Sequence, residues 1–201
     1  MPVTTPTAAP LAGENSVVAQ RVIVLLDRLS RLTRELQFVD GLNPAQWEAL
    51  RFLAAANKYS RSPTALAEYL GATKGTVSQT LIALESKGLI TRCKKTCDRR
   101  QVELCLTEAG EAMLAKDPMR TLERAAGEMA SELGPQMVKG LTRLLHDLQN
   151  RHQVAGFGVC QDCSLFCIND ASSADGQCGS TGETISATEK TKICVNYKTA
   201  N

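Results

Sequence analysis

The chain has 201 residues, 43% of them apolar, 22% charged and 4% aromatic, with a formal net charge of +2. So much apolar content excludes wholesale disorder, and the longest apolar run, Val22–Leu26, is far too short for a membrane span of roughly 18 residues. Residues 1–14 read as a flexible Pro/Thr/Ala-rich tail without the basic and apolar stretches of a secretory signal, so the chain is expected in the reducing cytoplasm. There its eight cysteines more often bind metal or sense redox state than form structural disulfides.

Val17, Val18, Val22, Leu25, Leu26, Leu29, Leu32 and Leu36 recur at three- and four-residue steps, which predicts an amphipathic first helix. Gly41-Leu42-Asn43-Pro44 breaks it and starts a second, with Asn43 as cap and Pro44 at the first helical position, carrying Trp47, Leu50, Phe52 and Leu53. Ser62-Pro63 repeats that signal for a short helix through Leu66 and Leu70, which Gly71 ends. Thr73 then caps a helix that runs to about Lys87 before Gly88. Leu89-Ile90-Thr91 and Val102 to Leu106 predict a two-stranded hairpin around the charged segment Arg92 to Arg100. A helix follows from Thr107, with a kink expected at Pro118, and a last one spans Pro135 to Gln149.

Local charge is more informative than the total. Between Lys58 and Arg100 stand nine bases against three acids, a net of +6 in 43 residues, whereas the residues from Gln153 onward carry three lysines against five acids. A positive island on a helix, turn, helix and hairpin is the footprint of contact with a phosphate backbone.

Those same residues resemble the MarR-type winged helix-turn-helix. Ser62 to Leu70 is similar to its first DNA-domain helix, and Thr73-Lys74-Gly75-Thr76-Val77-Ser78-Gln79-Thr80-Leu81 to its recognition helix. Asp98-Arg99-Arg100 and Leu104 to Gly110 resemble its wing and the start of the next helix. The resemblance implies a homodimer with interlocking terminal helices, a double-stranded pseudo-palindromic operator, and an effector pocket for a small molecule at the junction of dimer and DNA domain. The residues agree, because the terminal helices are too apolar for a lone monomer. Thr73, Lys74, Thr76, Ser78 and Gln79 are the candidates for base and phosphate contact, with Val77, Leu81 and Leu84 facing the core; for Thr73 a plain cap serves equally well. The resemblance places Arg100 in the minor groove with Asp98 orienting the wing arginine. It leaves open whether Arg99 shares the task, and Lys94 and Lys95 are assigned to phosphates.

Composition changes near His152 to Gly156, dividing a winged-helix domain (15–152) from a Cys-rich module (153–201). Cys160-Gln161-Asp162-Cys163 is a CxxC, a spacing that turns two thiolates toward one metal, and Cys178 and Cys194 complete a tetrahedral set, with Cys167 to spare. Phe157-Gly158 and Phe166 suit a small apolar cap, and a module with so little core needs a staple. Four cysteines suit zinc, to which the spacing leans, or an iron–sulfur cluster; free or disulfide-linked thiols are the remaining reading. Cys93, Cys97 and Cys105 of the wing read equally as redox thiols, since neighbouring cations lower a thiol pKa, or as small residues filling variable positions, with Cys93 and Cys97 the candidate redox pair.

The fold class is therefore mostly α with a small β-wing, plus a small Cys-rich metal-binding tail. The function expected is a DNA-binding transcriptional regulator of the repressor type, tuned by the tail. The alternatives are a thiol oxidoreductase or metal-binding protein that uses the CxxC, and a module that docks a partner through the tail. Against an enzyme, the CxxC follows no strand-to-helix turn, no Gly-rich phosphate loop is present, and His146 and His152 have no triad partners. His146 on its Leu-rich helix is read as a dimer-interface residue.

Overall fold

The computed structural model describes residues 13–94, 102–154, 156–168 and 175–199. Seven α-helices and seven short strands follow in order: α1 (Glu14–Leu36), α2 (Pro44–Ala55), α3 (Pro63–Leu70), α4 (Lys74–Ser86), β1 (Ile90–Lys94), β2 (Val102–Leu106), α5 (Glu108–Leu114), α6 (Arg120–Met129), α7 (Gly134–His152), β3 (Gly158–Val159), β4 (Phe166–Cys167), β5 (Gly176–Cys178), β6 (Thr184–Ile185) and β7 (Ile193–Cys194). By contacts they group into two units, Met1–Pro44 with Pro118–Thr142, and Ala45–Asp117 with Arg143–Asn201. The Cys-rich residues thus fall in the same unit as α3, α4 and the β1–β2 hairpin.

Local signals set the boundaries of the central elements. Ser62 caps α3 by accepting from the Ala65 amide, with Pro63 at the first turn, where a missing N–H costs nothing. Gly71 closes α3 in the left-handed conformation (φ 59°), which a residue without Cβ adopts freely. Thr73 caps α4 through the Thr76 amide, and Thr107 caps α5 through the Gly110 amide. β1 and β2 pair antiparallel, Ile90 opposite Leu106 and Lys94 opposite Val102. The single kinked helix expected around Pro118 is instead two helices. The chain tightens into three-residue turns at Lys116 and Asp117, and an ion pair from Arg51 to Asp117 (3.0 Å) holds the turn before Pro118 restarts the chain.

The core of the second unit is made by Trp47, Leu50, Phe52 and Leu53 of α2, Leu66 of α3, Val77, Leu81 and Leu84 of α4, and Leu89, Ile90 and Leu104 of the hairpin, all nearly inaccessible to water. Each such side chain contributes about 1.5–3 kcal/mol relative to exposure. The first unit contrasts with it: α1 exposes ten large apolar side chains, from Val17 (58%) through Ile23 (65%) to Leu36 (40%).

The module after α7 is built from strand pairs of two and three residues. β3 pairs antiparallel with β7, and β4, β5 and β6 form a three-stranded antiparallel sheet. A parallel bridge from Ala56 to Ile193 joins β7 to the end of α2.

Candidate nucleic-acid interface and thiol cavity

α4 is divided by its 3.6-residue period. Val77, Leu81 and Leu84 are buried, and Lys74, Thr76, Ser78 and Gln79 stand exposed on the other side. A cleft beside them is lined by Pro63, Thr64, Lys74, Ser78, Leu81 and Arg92, so α3, α4 and β1 meet there around two cations and two hydroxyls. Thr73 is exposed, but its hydroxyl is engaged in the cap and with the Thr76 hydroxyl (2.9 Å). Lys94 ends β1, whereas the predicted wing residues Lys95, Asp98, Arg99 and Arg100, with Cys97, lie outside the described residues.

Not every base of the positive island is offered to a phosphate. Lys58 pairs with Glu183 and its pKa is raised, mainly by that hydrogen bond. Arg61 lies 3.8 Å from both Glu103 on β2 and Glu189 in the Cys-rich module, and Arg92 pairs with Glu85 (3.2 Å). Two of these acids, Glu183 and Glu189, are more than 120 residues away in the chain, beyond the reach of a local charge count.

On the wing, Cys93 is exposed and faces Cys105 diagonally across the hairpin, within hydrogen-bond reach. Cys105 departs from the expected behaviour of a wing thiol. Burial, then the Cys93 hydrogen bond, raise its pKa, and the lowering influence of Arg61 does not offset them.

In the Cys-rich module, Cys160, Cys163, Cys178 and Cys194 all line one small cavity, together with Leu165, Phe166, Ile185 and Asn196. Cys160, Cys194 and Ile185 are its buried floor, and Tyr59, Phe166, Cys178 and Tyr197 pack on them. Gly176 makes room for this packing: a Cβ there would fall 2.3 Å from the Phe166 ring and 2.7 Å from the Cys167 carbonyl oxygen. Cys167 is exposed on β4. Phe157, expected in the apolar cap, turns instead to the winged helix, edge-on to Tyr69 (5.2 Å) and Phe52 (6.4 Å). The His146 ring lies 6.5 Å from that of Tyr197.

N–H donors reach three of the four sulfurs. Asn57 Nδ2 donates to Cys160 Sγ (3.5 Å), and the Lys198 amide to Cys163 Sγ (3.4 Å). Burial pushes the Cys160 thiol up to about 11, with Cys194 beside it adding to the effect and the Asn57 amide opposing it. Burial also raises Cys178, but hydrogen bonds from the Thr181 hydroxyl and the Thr181 and Ser180 amides outweigh it and leave the thiol below its ordinary value. Among the described residues, no group of three or more His, Cys, Asp or Glu side chains is arranged to hold a metal ion.

Thiol–disulfide chemistry needs an exposed, acidified leading thiol, favoured at the start of an α-helix. Here Cys160 is buried on a single 3₁₀ turn and its pKa is raised, which argues against the CxxC as an oxidoreductase centre.

What the sequence did not reveal is the loop that receives the module. Asn57 and Ser60 are buried polar residues between α2 and α3. Asn57 Oδ1 accepts from the Tyr59 and Ser60 amides and from the Ser60 hydroxyl (2.8 Å), which in turn accepts from the Val195 amide (2.8 Å). The Asn57 amide donates to the Ile193 carbonyl (2.9 Å), and the Leu104 amide on β2 to the Arg61 carbonyl (2.8 Å).

Comparison with known proteins bears on this site. The MarR family profile matches residues 40–101. A curated relative, the HTH-type transcriptional repressor YetL of Bacillus subtilis, is 34% identical over 74 residues, a match that takes in 37% of this chain and 44% of that repressor. The transcriptional regulator BldR of Sulfolobus solfataricus is similar in structure, with TM-score 0.53 at 21% identity over 68% of this chain and 99% of that one. So is the FabT–DNA complex of Streptococcus pneumoniae, with TM-score 0.52 at 23% identity over 68% and 99%. CouR of Rhodococcus jostii RHA1 bound to p-coumaroyl-CoA has TM-score 0.51 at 18% identity over 65% and 92%. These structural likenesses establish the winged-helix fold.

Proposed function

We propose that the chain, whose residues 40–101 match the MarR family profile, is a homodimeric transcriptional regulator, of the repressor type, that binds double-stranded DNA at a pseudo-palindromic operator. The observation that carries this reading is the two-sided α4, whose apolar stripe anchors it in the core while Lys74, Thr76, Ser78 and Gln79 are offered to a groove. A curated relative that bears the name of a repressor supports the sign of regulation, and the FabT–DNA complex supports the ligand. In this reading the wing arginines Arg99 and Arg100, with Asp98, reach the minor groove, and Lys94 and Lys95 meet phosphates.

The exposed apolar face of α1 supports the dimer. Ten large apolar side chains on one helix exceed what a soluble monomer leaves uncovered, and a second copy covers them in this reading. An effector, of which the CouR complex is an example in a structural relative, and the Cys-rich module both tune DNA affinity.

Two measurements test the proposal. Sedimentation equilibrium is expected to give a dimer that Leu29→Glu on α1 converts to monomer. Fluorescence anisotropy with duplex DNA is expected to show log affinity falling linearly with log salt, as counterion release requires. A monomeric wild-type chain, or duplex binding indifferent to salt, overturns it.

A further inference from the structure

Outside the DNA-binding surface, the strongest grouping of reactive side chains is the set of four thiols around one cavity. We propose that Cys160, Cys163, Cys178 and Cys194 are the ligands of a tetrathiolate metal centre, a zinc ion or an iron–sulfur cluster, and that the loop 56–61 senses whether it is loaded. The site part stands on this structure alone; the sensing part rests on the DNA-binding reading above.

Four observations carry the site. First, residues 160, 163, 178 and 194, spread over 35 positions, converge on one cavity although the strands that bring them are only two or three residues long. Second, the floor is made of buried thiols and one isoleucine, with aromatic rings of Tyr59, Phe166 and Tyr197 around it, a set too small to be a hydrophobic core in its own right. Third, N–H groups of Asn57 and Lys198, and those of Ser180 and Thr181, aim at sulfur. Such donors form the outer shell that a metal-bound sulfur needs. Fourth, Cys167, the fifth cysteine of the module, is exposed on β4.

Loading is a proton–metal exchange. Four thiols give up four protons as four S–metal bonds form to one Zn2+, leaving a centre of charge −2; a cluster would take its iron and sulfide from solution and use the same four sulfurs. The protonated thiols line the cavity without closing on a common point. Closing a tetrahedron around buried Cys160 and Cys194 therefore requires the sulfurs of the partly exposed Cys163 and Cys178 to move as the metal binds.

The same residues fasten the module to the winged helix. Asn57 joins Cys160 Sγ to the Ser60 hydroxyl, Ser60 holds the Val195 amide next to Cys194, and the Arg61 carbonyl holds Leu104 of the wing. Drawing Cys160 and Cys194 onto a metal therefore pulls on the loop that precedes Ser62, the cap of α3, and that borders β2.

The test uses the full chain, purified under argon. Zinc, iron and acid-labile sulfide are measured per chain, the metal-free chain is titrated with Co2+, and amide hydrogen exchange is compared with and without the metal. The expected result is either about one zinc per chain and no colour, or iron with equivalent sulfide and visible absorbance. Where zinc is found, Co2+ is expected to give the intense bands of a tetrahedral tetrathiolate. Cys178→Ser, at a partly exposed position, is expected to lose the metal and Cys167→Ser to keep it, while loading slows exchange of the Asn57, Val195 and Leu104 amides at least tenfold. A chain with no zinc, iron or sulfide and no cobalt bands, or full metal content in Cys178→Ser, overturns the site. Unchanged exchange on loading overturns the sensing loop. None of these readouts involves DNA, so their failure is separate from failure of the regulator reading.

Discussion

Asn57 is 1% exposed, and its carboxamide satisfies two backbone amides, one hydroxyl and one sulfur. A buried polar group is tolerated when all of its hydrogen-bonding capacity is used, and costly when a partner is removed. Asn57→Ala is therefore expected to destabilise the chain by about 1–3 kcal/mol in chemical denaturation, and to free the Val195 amide for exchange; an unchanged midpoint contradicts this. Glu189 adds a pH-dependent clamp. Burial raises its pKa, but hydrogen bonds from Lys192 and the Lys58 amide, with the charges of Lys192 and Arg61, outweigh it and hold the carboxyl below its ordinary 4.5. A carboxyl with a depressed folded pKa contributes stability that is present above 4.5 and is lost as pH falls through the folded value. Stability is thus expected to fall more steeply below pH 4.5 in the wild type than in Glu189→Gln, and equal slopes would remove Glu189 from the account. Neither residue was legible in the sequence. Asn57 reads as a polar loop residue and Arg61 as one more base of a positive island, because the partners that tie them to the wing and to the Cys-rich module, Cys160 and Ile193 for Asn57 and Glu103 and Glu189 for Arg61, stand far downstream in the chain.

At the scale of elements, legibility followed the range of the interactions. α3, α4 and α5 were readable because Ser62, Thr73 and Thr107 satisfy amides three residues onward, within the reach of a sequence pattern. The break before Pro118 was misread as a kink because the anchoring pair, Arg51 with Asp117, spans 66 residues. The module's strands were unreadable, since a pair of residues shows no alternation, and Phe157 left the expected cap for rings on α2 and α3. The cysteine spacing pointed to Cys160 with Cys163 and added Cys178 and Cys194, with Cys167 able to replace a neighbour; the first four line one cavity and Cys167 is exposed on β4. Lys74→Ala is expected to weaken binding alike for all sequences and to flatten the salt slope by about 1, whereas Gln79→Ala is expected to relax base preference by about 1–3 kcal/mol at one position with the slope unchanged. Anisotropy titrations over several salt concentrations distinguish the two, and identical behaviour of both variants contradicts their assigned roles.

On the scale of the whole molecule, the apolar face of α1 and the polar face of α4 are both exposed. In the proposed function a second copy completes the first and a duplex the second, and the symmetry of the first dictates the form of the second. The Cys-rich module groups by contacts with residues 45–117 and fastens beside the cap of α3, which makes it a part of the same packing unit as α3 and α4. The most direct test of the central claim is selection of bound duplexes from a random-sequence pool by the full chain. Enrichment of an inverted repeat is expected, with half-site centres about one helical turn, roughly 10 base pairs, apart. A pool that shows no enrichment, or enrichment of a single unrepeated site, contradicts it.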